Sequence, residues 1–528
     1  MVASEINMAD DKVQESIAIE HMESHREDTK PTGNAIEEFI QSEKGISTWQ
    51  AIKTHKRILG YALFSFACAM NYGYDTISNG SSIAMPAFII SFGAVNEATG
   101  SLYLPSLWTS LWTSMSNLGQ ALGAFMAGVL GQTVGRRYTA LIFAVMSVVG
   151  TFLLFFATSR GMLLVGKTIN GAVVGGLMSI GTTYAADIAP IKLRGALLQA
   201  IVFFAVAIQG VSLGVVRAFV PDQRPVAWKI VFSIQWIFAV LVFVLSLVVP
   251  ESPVFCAAKG KAEQARHALR RLHGNDPDLE LRYQAIVHAL EEERRQQDAS
   301  ASWAELFKGS NLKRTLTIAF IMFSTSAIGI PFLTQNIYFL FTVGLAATSV
   351  FDIGIGGFFL GALFVVLGWV SNDKIGRRRL WIYGLIGNFV CMVTVGGLAY
   401  SGTQGSYWAI GVIMNLLISY GVYATVGVAW TICPEISSHR LRQYSQSVGF
   451  FTGAVGGWLF SFVTPYMYNV DSGNLGAKTG FIYAGLTVVV FAISWFIIPE
   501  TAGLSVEDID NAYEKGTSPR EFAKLRVE

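Results

Sequence analysis

The sequence predicts an all-α membrane protein of twelve transmembrane helices in two six-helix bundles, with short cytoplasmic helices between the halves. Three observations predict it. Of 528 residues, 52% are hydrophobic and only 14% charged, with a mean hydropathy of +0.47, which excludes an ordinary soluble enzyme. Apolar runs of about 20 residues, the length that crosses a bilayer, occur twelve times. Finally, three short signatures occur twice in the same order. GQTVGRR (Gly131–Arg137) returns as NDKIGRR (Asn372–Arg378), 241 residues on at the shared glycine. An acid with an Arg seven residues later, Asp187 and Arg194, returns 248 residues on as Glu435 and Arg442; PES at Pro250 returns 249 residues on as PET at Pro499. Ordered pairs at one spacing identify a duplicated unit, and two membrane-embedded repeats describe a transporter whose substrate site lies between the halves.

Residues 1–57 are polar and rich in Glu, Lys, Ser and Asp, and are expected to form a disordered cytoplasmic tail. No apolar signal-peptide core precedes the first span, so that span is expected to serve as its own targeting signal. The first bundle, 58–249, holds spans near 58–79, 105–130, 138–158, 162–186, 196–219 and 228–249. The second bundle, 314–498, holds spans near 314–342, 352–371, 379–400, 407–433, 444–466 and 479–498. Residues 499–528 form a second cytoplasmic tail.

Lys and Arg gather in the loops after even-numbered spans (Arg136, Arg137, Lys192, Arg194, Lys374, Arg377, Arg378, Arg379, Arg440 and Arg442), while 81–104 and 401–406 have almost none. The excess of positive charge on one side places both termini and the linker in the cytoplasm of an integral membrane protein, for which the plasma membrane is the expected location. The linker, 250–313, carries apolar residues at helical spacing among charges, as in Ala262, Ala265, Leu269 and Leu272. These read as amphipathic helices, either a latch at the cytoplasmic gate or a solvated connection.

Asp75 stands out within the first span, an otherwise apolar helix that holds no base of its own. A carboxyl group there is costly as an anion, and burial favours its neutral form. Such a group either exchanges a proton with each side in turn or is a neutral, hydrogen-bonded structural residue. The net charge of +2 and the lack of a basic tract argue against nucleic acid, and the four cysteines and seven histidines fall at no metal-ligand spacing. The one GxxxxGK[ST] string, GMLLVGKT at Gly161–Thr168, lies inside the fourth apolar span rather than on a loop after a strand, so no ATP-driven pump is supported, and nothing suggests an enzyme or a cofactor.

In order along the chain stand GYDTISNG, GRRYT, YAADIAPIKLRG, PESPVF, DKIGRRR, PEISSHRLR, TPYMYNV with GAKTG, and PETAGLSVEDID. This series resembles the sugar porters of the major facilitator superfamily, and within them the fungal maltose and α-glucoside permeases. The resemblance implies the major facilitator fold and alternating-access import of a sugar, an α-glucoside such as maltose, with proton symport at Asp75. Its partners would be a small-molecule sugar, a proton and the lipid bilayer. It also implies a cytoplasmic gate of Arg136, Arg137, Asp187 and Arg194 opposite Asp373, Arg377, Arg378, Glu435 and Arg442, because Arg pairs bidentately with carboxylates and can bridge the bundles in one state. For substrate, Gln209 and Trp430 match sugar-contacting positions, with Gln335, Asn336, Tyr338 and Asn415 as further hydrogen-bonding candidates; interhelical glue is the alternative role for these polar groups.

The chain departs from the family in three places. Gln132 and Thr133 stand where an acid and a base precede the GRR glycine, although Asp373 and Lys374 keep them in the second half. Tyr72 and Gln120 stand where maltose-type permeases tend to carry glutamates, and Thr325 and Ser326 replace a pair of glutamines. These departures keep a second reading open, a same-fold transporter, or exporter, of another polar metabolite. A non-transporting sensor is disfavoured by a stretch of only 25 residues after Gly503.

Overall fold

A computed structural model describes residues 38–39, 41–43, 48–97, 100, 102–190, 192–274, 276–297, 303–438, 441–502, 504 and 506–522; for 293–297, 362, 365–375, 422–423, 443 and 506–507 the description is of the backbone alone.

Twelve long helical units run through the chain. In the first half they are α1 (Lys56–Ser81), α2 (Ser106–Thr133), α3 (Arg136–Phe155), α4 (Arg160–Ile188), α5 (Arg194–Phe219) and α6 (Val226–Val248, interrupted at Ile234). In the second half they are α7 (Gly309–Thr334, interrupted at 328–329), α8 (Ala347–Ile375), α9 (Arg377–Leu398), α10 (Gln404–Ile436, with a π-turn at Val422–Val426), α11 (Arg442–Tyr468) and α12 (Thr479–Ile497). Among the described residues, nine of them are long and apolar enough to cross a membrane by length and composition alone. The other three, α1, α2 and α8, are as long at 26, 28 and 29 residues. In α1 and α2 the apolar average is diluted by Asn71, Asp75 and Asn79 and by a run of Ser and Thr. The expected six-plus-six arrangement is the observed one, with most span edges moving by two to five residues.

Within the first half α2 and α3 pack on α4, α1 packs on α4, α5 and α6, and α6 packs on α3. The second half repeats this: α7 packs on α11, α9 on α12, and α8 and α9 on α10. The halves meet along two seams, α2 against α11 and α5 against α8.

The duplicated signatures turn out to be one interlocked node per half. Gly135 and Gly376 have φ of 107° and 91°, a region that glycine enters without strain, and each turns the chain sharply between two helices. That turn aims the next backbone N–H groups at a carboxylate. Arg136 N donates to Glu251 Oε1 at 2.8 Å, and Arg377 N donates to Glu500 Oε1 at 2.9 Å. The side chain of Arg136 then pairs with Asp187 at 3.0 Å, and that of Arg377 with Glu435 at 3.3 Å. Ser252 donates to Asp187 at 2.7 Å and Thr501 to Glu435 at 2.5 Å. Arg137 and Arg378 donate to carbonyls that end α6 and α12.

Between the halves lie short helices at Pro253–Ala258, Ala262–His273 and Leu279–Gln297 and a 3₁₀ turn at Trp303–Phe307. The amphipathic pattern is realised: Ala265, Ala268, Leu269 and Leu272 are buried. Most of the expected disordered tail falls outside the described residues, but its described part is helical over Thr48–Thr54, and Glu43 pairs with Arg282 of the linker at 2.5 Å.

Candidate functional site

The polar centre of the first half is built from α1, α3, α4 and α6. Asp75 and Asn79 stand one turn apart on α1, Lys167 and Asn170 nearly one turn apart on α4, and Gln235 begins the second segment of α6. All five are buried. Asn79 Nδ2 donates to Asp75 Oδ1 at 2.6 Å, and Asn170 Nδ2 approaches the same oxygen at 3.4 Å. Lys167 Nζ donates to the Asn79 carbonyl at 2.5 Å and lies in the field of the Asp75 carboxylate. The Phe88 and Phe232 rings flank the ammonium at 5.8 and 5.9 Å. A buried carboxylate and a buried ammonium compensate each other, since either alone in an apolar bundle costs several kcal/mol. Sequence reasoning singled out Asp75 and missed Lys167. The signal was present: Lys167 is a lone charge inside the Gly-rich apolar run of α4, as exceptional there as Asp75 is in α1.

The halves are joined at the arginine-poor end. Ser106, which starts α2, donates from its backbone N–H to Asp471 Oδ2 at 2.8 Å, and its hydroxyl bonds Asp471 Oδ1 and Ser472. The Tyr338 hydroxyl meets the backbone of Leu104, Asn469 donates to the same carbonyl, and Asn117 donates to Ser461. On the other seam Arg217 pairs with Asp352 at 2.8 Å. The arginine-rich nodes, by contrast, close within each half. In this arrangement Arg136–Asp187 and Arg377–Glu435 each brace their own bundle, among the described residues; the expected bridge between bundles belongs to the opposite gate state. Arg194 is exposed with its charge felt at Asp187, and Arg442 Nε is buried without a hydrogen-bond partner among the described residues. The side chain of Asp373 lies outside the described residues.

The expected substrate residues separate into two sets. Gln335, Asn336, Tyr338 and Asn415 are buried and engaged. Gln335 bonds Ser461 and Tyr468, Asn336 donates to Asn415 at 3.4 Å, and Asn415 donates to the Gly411 carbonyl at 2.9 Å. Trp430, by contrast, is 54% exposed on α10. Its ring lies 5.1 Å from that of Phe450 on α11, in a mainly apolar cleft that Ile318 and Met322 of α7, Cys433 and Gln446 also line. Gln209 is half-buried on α5, beside the seam with α8; no hydrogen bond joins it to Trp430 among the described residues.

Two pseudo-repeated bundles, fastened to each other at one end and with buried charged groups inside the first, define a transporter of the major facilitator superfamily. Residues 62–513 match the family described as "Sugar (and other) transporter", and the chain belongs to that family. It is 72% identical, over 98% of both chains, to a protein of Aspergillus fumigatus named MFS transporter fmqE. It is 26% identical to the maltose permease MAL31 of Saccharomyces cerevisiae, over 93% of this chain and 81% of the relative. A general alpha-glucoside permease of the same yeast is 27% identical over the same shares. Among solved structures, the inward-open xylose transporter XylE of E. coli superposes with a TM-score of 0.70 at 20% identity, over 86% of this chain and 99% of that one, which shows the fold. The relatives named here are transporters and permeases.

Proposed function

We propose that this protein is a proton-coupled secondary transporter of a neutral, hydroxyl-bearing solute, with an α-glucoside such as maltose as the first substrate class to test. The observation that carries the reading is a buried Asp75 carboxyl and a buried Lys167 ammonium that share Asn79 as a neighbour inside one bundle of a two-bundle transporter. Protonation of Asp75 removes the negative partner of a buried lysine. It thereby changes the electrostatics that α1 and α4 share and the balance between two arrangements of the halves. The fastening at the arginine-poor end supports a state open toward the arginine-rich end, which by charge bias is the cytoplasmic side of the plasma membrane with both termini inside. Trp430 would stack on an apolar face of the solute and Gln209 would bond its hydroxyls.

A second reading, favoured by a specific observation, is transport, in either direction, of a less sugar-like metabolite. Four of the five candidate hydrogen-bonding residues are taken up in bonds within the protein, and the cleft at Trp430 is mainly apolar. Uptake into proteoliposomes across a panel of labelled sugars and other neutral polar solutes, with and without an imposed pH gradient, separates the two. Accumulation of maltose driven by the gradient supports the first reading, and accumulation of only non-sugar solutes supports the second.

A further inference from the structure

One side chain of the first half ties together four helices around Asp75 without touching it. Gln235 is 2% exposed and stands where α6 is interrupted. Its Nε2 donates to Ser78 Oγ of α1 at 2.6 Å. Its Oε1 accepts from Thr151 of α3 at 3.1 Å and from Asn170 Nδ2 of α4 at 2.9 Å. Ser78 in turn donates to the Asp75 carbonyl at 3.2 Å.

The consequence lies in which way the Asn170 amide points. An amide end anchored on Gln235 Oε1 must be its N–H₂, because an oxygen cannot donate. That same nitrogen faces Asp75 Oδ1, which also takes the Asn79 N–H. Asp75 Oδ1 is thus surrounded by donors, whereas Oδ2 is buried and accepts no hydrogen bond among the described residues. A carboxylic O–H placed on Oδ1 would collide with two N–H groups; placed on Oδ2 it would not. Resting on the proton-coupled reading above, we infer that Gln235 is a positioning residue for proton binding: it fixes the Asn170 amide so that Asp75 Oδ1 remains an acceptor and the proton is carried on Oδ2. Proton binding turns the carboxylate into a neutral acid at Oδ2, and release returns that proton to water on whichever side the centre opens to. Lys167 is the charged neighbour in the field of this exchange.

Asn170 is held from a second direction as well. A Cβ added at Gly150 of α3 would fall 1.9 Å from Asn170 Oδ1, so that amide oxygen fits only because position 150 has no side chain. Q235M and G150A therefore disturb the same amide, one by removing its acceptor and the other by displacing its oxygen.

The test needs no transport substrate. Infrared difference spectra between acid and alkaline pH, recorded on full-length protein in lipid nanodiscs, show the carbonyl stretch of protonated Asp75, assigned by its loss in D75N. Hydrogen bonds to the carbonyl oxygen lower that frequency. Q235M and G150A should each shift the band upward, while T151V, which removes a donor to Gln235 and leaves the Asn170 contact, should leave it in place. An unmoved band in both Q235M and G150A overturns the inference, as does an equal shift in T151V, because that would mean general loosening. Absence of any band that D75N removes overturns the proton-coupled reading itself, so the two failures are distinct. A merely structural role for Gln235 would change melting temperature without this pattern of band positions.

Discussion

Arg136 Nε lies 3.0 Å from Asp187 Oδ2 inside one half of the molecule, and Arg377 repeats the arrangement with Glu435 inside the other. Each pair is partly buried and is tied by Ser252 or Thr501 to the segment that ends its half. The nodes therefore tie several elements of each bundle to one another. Replacing Arg136 or Arg377 by Ala should lower the stability of that half by about 2 kcal/mol, the scale of a lost charge-assisted bond with its acceptor left partly buried. The charge swap R136D with D187R should recover part of the loss. Thermal unfolding of the purified variants measures this, and an unchanged melting temperature in both single variants would contradict it.

The fastening at the arginine-poor end has two parts of unequal strength. Asp471 accepts the first N–H of α2 and the Ser106 hydroxyl, as a helix cap would, whereas Arg217–Asp352 is a largely exposed pair. Capping contributes about 1 kcal/mol and an exposed pair about 0.2–1 kcal/mol. D471A should therefore shift the protein toward opening at that end more than D352A does. Accessibility of a cysteine introduced at Ser110 on α2, buried near that end, to a membrane-impermeant maleimide measures the shift. Equal labelling of the two variants would argue against an unequal fastening.

The contact between the tail and the linker should be sensitive to pH. The rings of His55 and His273 meet edge to face at 5.4 Å beside Arg282, Glu43 and Asp276. Burial pushes His273 down to about 3, helped by the positive charges of Arg282 and His55 and opposed by Asp276; burial and Arg282 push His55 down too. A histidine released to water titrates near 6.5. The released form thus binds protons that the docked form refuses. Docking is at full strength above about pH 6.5 and weakens as pH falls toward about 3. Hydrogen exchange in Ala262–His273, corrected for intrinsic rates, should be faster at pH 5 than at pH 7.5, and H273F should flatten the difference. Equal protection at both values would contradict the account.

The twelve helices were legible because apolar runs of membrane length need no tertiary information, and the duplication was legible because the motifs keep their spacing. The partners of those motifs were not. The seven-residue step from Asp187 to Arg194 places both at one end of a helix pair, but only packing shows that Arg136 takes the carboxylate. Asp75 was conspicuous as a lone charge in α1, while Lys167 and Gln235 belong to the same centre only because α4 and α6 fold onto α1. Gln335, Asn336, Tyr338 and Asn415 carry the side chains that a sugar site needs. A sequence does not show that such groups already satisfy one another.

The ligand site has its own test. If Trp430 stacks on the solute, Trp430→Ala should weaken binding by about 1–3 kcal/mol, the scale of a buried aromatic contact. Gln209→Ala should cost about 1–2 kcal/mol for a lost uncharged hydrogen bond. Asn415→Ala should act on stability more than on affinity, because its amide serves Asn336 and Gly411. Calorimetric titration with maltose, or with the solute that the uptake panel selects, reads all three. Unaltered affinity in Trp430→Ala would move the site away from the α7–α10–α11 cleft.

The central claim is that Asp75, buried one hydrogen-bonded neighbour away from Lys167, carries the coupled proton. Asp75→Asn keeps the side chain's size and removes its titration. In proteoliposomes loaded with unlabelled solute, the variant should exchange labelled solute at close to the wild-type rate. In empty proteoliposomes under an imposed pH gradient it should fail to accumulate solute above equilibrium, whereas the wild type concentrates it. Accumulation by Asp75→Asn at the wild-type level under that gradient would contradict the account.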